Sequence, residues 1–416
     1  MHSGLYGKWM TAWETKLTTR DTNRIVRPLE WGFDWLQDFN DSPSSVQFTT
    51  PATSGQAECI SGGSQTPPVS QDLNRMIALN EEIVRRSDDF FGYEVPQDFR
   101  LELRHPELFP TNVRPETLAQ DAEMKRQAAV GEIAEAQFLR FTSAVRTPYP
   151  ENDQVNARWY LAPERKQTAG SPPKPKQAII VLPQWNSDAI SHNVLCTLFN
   201  RFGISALRLS QPYHDIRRPA ELERSDYAVS ANVGRTAASC RQAVVDIRSC
   251  MDWLETQGYS QFGVLGTSLG SCYAFIAAAH DPRLRVCAFN HASTWFGDVV
   301  WEGQSTRHVR VALEEAGLTQ DQVRKMFRGV SPMAYMQRFA ACPKRVLVVH
   351  ATYDLTFPPA LSLDVLKNFK QHGIDFVSKV LPCGHYTTGE TPYKYLDGWY
   401  LGSFIYRAFR DLAAQI

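Results

Sequence analysis

The sequence predicts an α/β protein built on a mostly parallel central sheet with helices on both faces. Three observations carry this. Apolar runs at 178–182, 204–209, 262–265, 286–290, 345–350 and 376–381 are separated by stretches of helix length. Continuous apolar strands joined by crossover helices belong to parallel sheets covered on both faces. Runs 138–145 and 154–161 add a strand pair around the turn at 148–153. Finally, 271–279 is a small-residue, wholly apolar helix that leaves the 262–265 strand through a short turn and stops at Asp281-Pro282.

In chain order, residues 1–137 predict a mostly helical N-terminal extension. It opens with Trp9, Trp13, Trp31, Phe33, Trp35 and Phe39, followed by a flexible Ser/Thr/Pro/Gly-rich stretch over 41–71. Leu73, Met76, Ile77, Ile83 and Val84 then share one helical face, and 115–137 reads as a second helix. This third carries no catalytic motif and is expected to pack on the main domain as a structural extension. Residues 138–416 predict that main domain, with 166–177 as an exposed connector and helices at 235–256 and 361–372. The segment 291–343, after the sixth strand, is too long for a simple connection; helical patterns at 309–316 and 319–327 make it a lid insertion. No internal repeat is visible.

Composition narrows the function. The 416 residues balance 44 Lys+Arg against 44 Asp+Glu, so no net field draws a polyanion and no nucleic-acid partner is expected. With 43% hydrophobic and 21% charged residues, wholesale disorder is excluded. No run of 18 apolar residues occurs, so no transmembrane segment is expected. The eight cysteines form no C-x-x-C pair and several sit in apolar runs, which reads as reduced core. Together with an N-terminus lacking the apolar core of a secretory signal, this predicts a cytoplasmic protein.

The chemistry concentrates at three strand ends. The 262–265 strand runs into Gly266-Thr267-Ser268-Leu269-Gly270 and then into a helix, the strand–turn–helix context of G-x-S-x-G. Such a turn raises the serine hydroxyl above the sheet, and a Cβ at either glycine would collide with neighbouring chain. The helix start offers the Leu269 N–H and a positive dipole end to a developing oxyanion. Beyond the 345–350 strand lies Asp354, and beyond the 376–381 strand Gly384 bends the chain at His385. Ser…Asp…His in that order is a hydrolase arrangement.

On these residues the region 138–416 resembles the α/β-hydrolase superfamily, with 266–270 as nucleophile elbow, 353–358 as acid loop and 381–386 as histidine loop. A narrower stretch, Pro212-Tyr213-His214-Asp215-Ile216-Arg217-Arg218-Pro219 and Asp252-Trp253-Leu254-Glu255-Thr256-Gln257-Gly258-Tyr259, resembles the alpha/beta-hydrolase-domain-containing protein 18 group. That likeness implies a serine acyl hydrolase acting on lipid esters; Ser271 stands where the group's pattern has a further glycine.

The expected roles are Ser268 as nucleophile, His385 as general base and acid, and Asp354 as the orienting acid. The oxyanion donors are expected at Leu269 and at Gln184 or Trp185, in the loop after the 178–182 strand. Trp185, Tyr213, His291, Trp295, Trp301 and Tyr386 are the expected substrate-binding residues. His192, His214 and His291 lack metal-ligand spacing, so no metal is expected, and the chemistry needs no organic cofactor. Arg217, Arg218, Arg224 and Arg235 offer either an anion site or a salt-bridged face.

The expectation is therefore a serine hydrolase of a carboxylic ester, thioester or lactone with a small-molecule acyl substrate. Acyl transfer by the same triad and a non-catalytic hydrolase-fold binding protein stay open, as does a homo-oligomer. A dehalogenase would need a carboxylate at position 268, and a large gated peptidase would need strand repeats that the first third lacks.

Overall fold

The computed structural model describes residues 4–40, 68–163 and 174–414. Nine strands among them form one sheet: β1 (Arg100–Arg104), β2 (Ala136–Thr142), β3 (Gln154–Tyr160), β4 (Lys176–Leu182), β5 (Ser205–Leu209), β6 (Tyr259–Thr267), β7 (Leu284–Asn290), β8 (Arg345–Ala351) and β9 (Phe376–Leu381). Their spatial order is β1-β2-β3-β5-β4-β6-β7-β8-β9. The first three pair antiparallel, and β3 meets β5 antiparallel; from β5 onward every pairing is parallel. This order, with its β4/β5 exchange beside an antiparallel strand, is that of the α/β-hydrolase fold, and the chain has that fold.

Side-chain alternation along the central strands makes the layers. On β4, Ala178, Ile180 and Leu182 face one apolar cluster while Ile179 and Val181 face the other. Helices Val233–Thr256 and Leu269–His280 fill the first side. Asn193–Arg201, Tyr393–Ala413 and Met10 of the N-terminal helix Leu5–Thr19 fill the second. Every residue of Leu269–His280 is buried, which its run of alanines permits by letting the helix lie close against the sheet.

The expected strands all form, with shifted ends. The first third differs more. Beyond its helices Leu5–Thr19, Pro68–Arg85 and Pro115–Ala129 it contributes β1, the outermost strand. That strand escapes a hydrophobicity reading because its leucines are half exposed, Leu101 at 45% and Leu103 at 62%. It is held by the ladder to β2 and by an Arg140–Glu102 ion pair at 3.3 Å. The flexible stretch expected at 41–71 lies outside the described residues up to 67; from 68 it already belongs to helix Pro68–Arg85. Likewise 166–173 of the expected connector lies outside them, while Lys176 and Gln177 open β4.

The 291–343 insertion holds the short helices Phe296–Glu302, Arg307–Glu315, Gln320–Met326 and Met336–Ala340. It is braced from the first third, where buried Asn80 accepts the Gly329 N–H at 3.0 Å.

Candidate active site

β6 ends at Thr267 and helix Leu269–His280 begins two residues later, leaving Ser268 alone at the turn with φ 56° and ψ −119°. A non-glycine residue is held there only when its surroundings over-determine it. They do so at both flanking glycines. A Cβ on Gly266 would lie 2.1 Å from the Gly270 carbonyl oxygen; one on Gly270 would lie 2.6 Å from the carbonyl oxygens of Leu182 and Pro183. Ser271, the departure from the narrower pattern, donates its hydroxyl to the carbonyls of Ser268 (2.6 Å) and His291 (3.0 Å), tying the turn to the end of β7.

Three distant segments meet above this turn. Ser268 Oγ lies 3.0 Å from His385 Nε2, and His385 Nδ1 lies 2.9 Å from Asp354 Oδ2. A carboxylate only accepts, so Nδ1 carries the proton and leaves Nε2 to accept from the serine hydroxyl. Asp354 Oδ1 in turn accepts the backbone N–H groups of Thr356 (2.8 Å) and Phe357 (2.6 Å). The Phe357 ring stacks on His385 at 5.3 Å and 4° between planes. Burial would push the imidazole pKa down; the Asp354 carboxylate and then Glu14 outweigh it, and His385 sits above the ordinary histidine value. Asp354 is buried, which alone would raise its pKa, yet His385 and His291 hold it well below the usual carboxylate range.

His291 is the residue whose role the sequence did not disclose. Its Nδ1 lies 3.0 Å from the same Asp354 Oδ2, and its ring centroid is 4.5 Å from that of His385. Three ligand-type atoms thus converge here, but both Nδ1 atoms are spent on one carboxylate oxygen, so the cluster reads as a hydrogen-bonded unit.

The loop after β4 is pinned on several sides. The Asn186 N–H donates to His214 Nε2 at 3.1 Å, and His214 Nδ1 faces the Pro212 carbonyl at 2.9 Å. Trp185 Nε1 donates to the Ser225 carbonyl at 2.9 Å, and Thr111 to that of Asn186 at 2.7 Å. Leu269 is the first residue of its helix, so no intrahelical carbonyl takes its N–H. Gly270 packs against the carbonyls of Leu182 and Pro183, and Leu269, Gln184 and Trp185 line one cavity.

A cavity of about 1540 Å³ opens over the serine. Gln184, Trp185, His291 and Tyr386 line it, as does the insertion through Phe296, Val299 and Val300. Three expected pocket residues do not. Tyr213, whose backbone has φ 64°, is fully buried against Tyr149 and Tyr227. Trp295 and Trp301 are not part of the cavity wall and carry Arg324 and Arg310 over their rings at 5.7 and 4.9 Å. His192 instead bonds Thr267 at 2.9 Å, beside the serine. Two of the four arginines are ion-paired, Arg217 with Asp246 at 2.9 Å in the core and Arg224, at the cavity, with Asp226 at 3.2 Å; Arg235 lies 3.8 Å over the Tyr227 ring, and Arg218 makes no ion pair among the described residues.

The seven described cysteines are free thiols, six of them buried. No described helix is long and apolar enough to cross a membrane.

Fold and site together give the geometry a serine hydrolase needs: a Ser268–His385–Asp354 array on an α/β-hydrolase fold. Residues 239–393 match the prolyl oligopeptidase family, a span that contains Ser268, Asp354 and His385. Among solved structures, the acylaminoacyl peptidase of Pyrococcus horikoshii is similar at 12% identity and TM-score 0.49, over 66% of this chain and 46% of that one. Acetyl xylan esterase 1 from Thermoanaerobacterium sp. JW/SL YS485 is similar at 14% identity and TM-score 0.48, over 80% and 94%. A thermostable carboxyl esterase from Bacillus coagulans is similar at 15% and 0.45, over 65% and 98%. The chain spans less than half the length of the acylaminoacyl peptidases it resembles. A comparison with curated protein sequences finds no match.

Proposed function

We propose that the protein hydrolyses a carboxylic ester of an apolar acyl group through an acyl-enzyme on Ser268. The observation that carries this is the 3.0 Å contact between Ser268 Oγ and a His385 whose other nitrogen is held by Asp354. Ser268 Oγ attacks the acyl carbon while its proton passes to His385 Nε2; as the tetrahedral intermediate collapses, the C–O bond breaks and that proton goes to the leaving alcohol. Water then repeats the sequence, giving its proton to His385, and Ser268 recovers a proton as the acid leaves. Leu269 N–H and a neighbouring N–H from Gln184 or Trp185 are the oxyanion donors, each worth about 2.7–4 kcal/mol. Phe296, Val299, Val300 and Phe357 supply an apolar wall for the acyl group, and the cavity exceeds the roughly 300–1,000 Å³ of ordinary ligand pockets.

The test pairs a fluorophosphonate probe with p-nitrophenyl esters of increasing acyl length. The wild-type protein is expected to be labelled and to prefer acyl groups longer than acetyl; Ser268→Ala abolishes labelling and turnover. Labelling that survives Ser268→Ala places the nucleophile elsewhere. Faster cleavage of blocked-peptide amides than of any ester supports the peptidase side of the family match instead. Transfer of the acyl group to added alcohol in preference to water makes the protein an acyltransferase.

A further inference from the structure

We infer that Glu14, on the N-terminal helix, is a positioning residue for His385, so that the first third of the chain completes the active site. The inference rests on the hydrolase reading above and concerns how the base is held. Glu14 is fully buried, unusual for a carboxylate without an ionic partner on its own helix. Its two oxygens take three donors, all from the turn that carries the base: Oε1 accepts the Tyr386 N–H at 2.8 Å, and Oε2 accepts the Thr387 N–H at 2.9 Å and the Thr387 hydroxyl at 3.0 Å.

The histidine loop is shaped to admit this side chain. A Cβ on Gly384 would fall 2.4 Å from both Glu14 Cδ and Oε2, so the glycine before His385 is where the carboxylate enters. Neighbouring contacts from the same segment grip the same loop. The Tyr6 hydroxyl donates to the Pro382 carbonyl and lies 2.8 Å from the Tyr393 hydroxyl. Thr18 donates to Gln304 at 2.7 Å, and Arg24 donates to the Ser305 carbonyl and, at 3.4 Å, to the Tyr386 hydroxyl. The segment from Tyr6 to Arg24 thereby spans the histidine loop and the insertion that walls the cavity.

Glu14 acts in two ways. It fixes the backbone of 386–387, and through it the imidazole over Ser268. It also adds negative charge near His385, whose other titratable neighbours are Asp354, His291 and Tyr386. Burial, with the nearby Asp354 charge, raises the Glu14 pKa above the ordinary value, and the two backbone N–H groups and His385 oppose that rise.

Glu14→Gln, Glu14→Asp and the wild-type protein are compared by kcat, KM and the pH profile of kcat/KM on one p-nitrophenyl ester. In Glu14→Gln an amide NH₂ must face a backbone N–H in either orientation. The expected result is a loss of roughly 10²-fold in kcat with little change in KM, and an acid limb moved to lower pH because the charge is gone. Glu14→Asp keeps the charge but loses reach, so the acid limb stays in place while kcat falls. Wild-type kcat with an unmoved acid limb in Glu14→Gln overturns the inference, as does a loss of rate in both variants that only tracks the unfolded fraction. If Glu14→Gln does not fold, Glu14→Asp decides, and an unchanged kcat in that variant overturns the inference. Failure of the hydrolase reading looks different: the wild-type protein itself then shows no Ser268-dependent labelling.

Discussion

Replacing Asp354 by Asn tests the site most sharply, because the carboxylate serves two pairs of donors that an amide cannot serve together. Oδ1 takes the Thr356 and Phe357 N–H groups, and Oδ2 takes both imidazole Nδ1 atoms. An asparagine has one acceptor oxygen. Turned toward the imidazoles, it sets its NH₂ against two buried backbone donors, a cost of about 1–3 kcal/mol each. Turned toward the backbone, it keeps those bonds and sets its NH₂ against His385 and His291; His385 moves its proton to Nε2, where Ser268 Oγ can accept it, and of the two only the buried Nε2 of His291 is without a partner among the described residues. The second orientation therefore wins. His385 Nε2 then bears a proton and cannot accept one from Ser268. The wrong tautomer costs about 10⁴-fold in kcat where such a substitution has been made in a serine protease, or about 5.4 kcal/mol at 1.36 kcal/mol per factor of ten. The assay is kcat on a p-nitrophenyl ester beside fluorophosphonate labelling, with circular dichroism and Tm to show that the fold is retained. A folded Asp354→Asn variant within tenfold of wild type would refute the reasoning, since some other carboxylate would then have to orient the base.

The elbow predicts that Gly270→Ala is severely destabilising: its Cβ meets two backbone carbonyls at 2.6 Å, neither of them able to swing away as a side chain can. The expected cost is at least ~3 kcal/mol, the upper end for ordinary overpacking, seen as a large fall in Tm with lost labelling; a wild-type Tm refutes it. Acid stability offers a further check. Burial lowers His192, His214 and His280 from 6.5 to about 4, and His308 to about 3. Between those values and 6.5 the unfolded chain binds protons that the folded chain refuses, so stability is full above about pH 6.5 and falls as pH drops toward 4. His350 is lowered by burial as well, while His385, raised by Asp354 and Glu14 against its own burial, and buried carboxyls such as Asp397, pushed up to about 6, act in the opposite sense and offset part of the loss. The expected loss is about 1–3 kcal/mol per imidazole, read as Tm against pH, and a Tm that holds steady from about pH 7 to about pH 4.5 contradicts it.

The three residues of the candidate site were legible because each lies in a short contiguous signal at the end of an apolar strand. Gly266 and Gly270 bracket Ser268 within one turn, Asp354 follows β8 and His385 follows β9, so the parallel sheet brings them to one edge. Pocket walls were legible only by chance. Tyr213, Trp295 and Trp301 sit at suitable places along the chain, but proximity in sequence says nothing about side-chain direction, and Tyr213 packs into the core against Tyr149 and Tyr227. His291 was placed in the pocket by its position after β7, while its bond to Asp354 is made from a backbone at φ 54°. Glu14 carried no local signal at all. It is one glutamate in an ordinary helix, and its partners lie 372 and 373 residues away.

The burial of Asp354, too, is made tolerable by contacts between segments distant in the chain. A carboxylate taken from water loses several kcal/mol of hydration unless charge-assisted bonds replace it. Asp354 is covered by donors from its own loop and by two imidazoles, one from the end of β7 and one from the turn that Glu14 holds. Withdrawing either imidazole leaves the other to carry more of the compensation. The His385 turn therefore cannot relax without making the Asp354 charge less favourable, and the N-terminal helix, by holding that turn, keeps one of the two imidazoles on the acid.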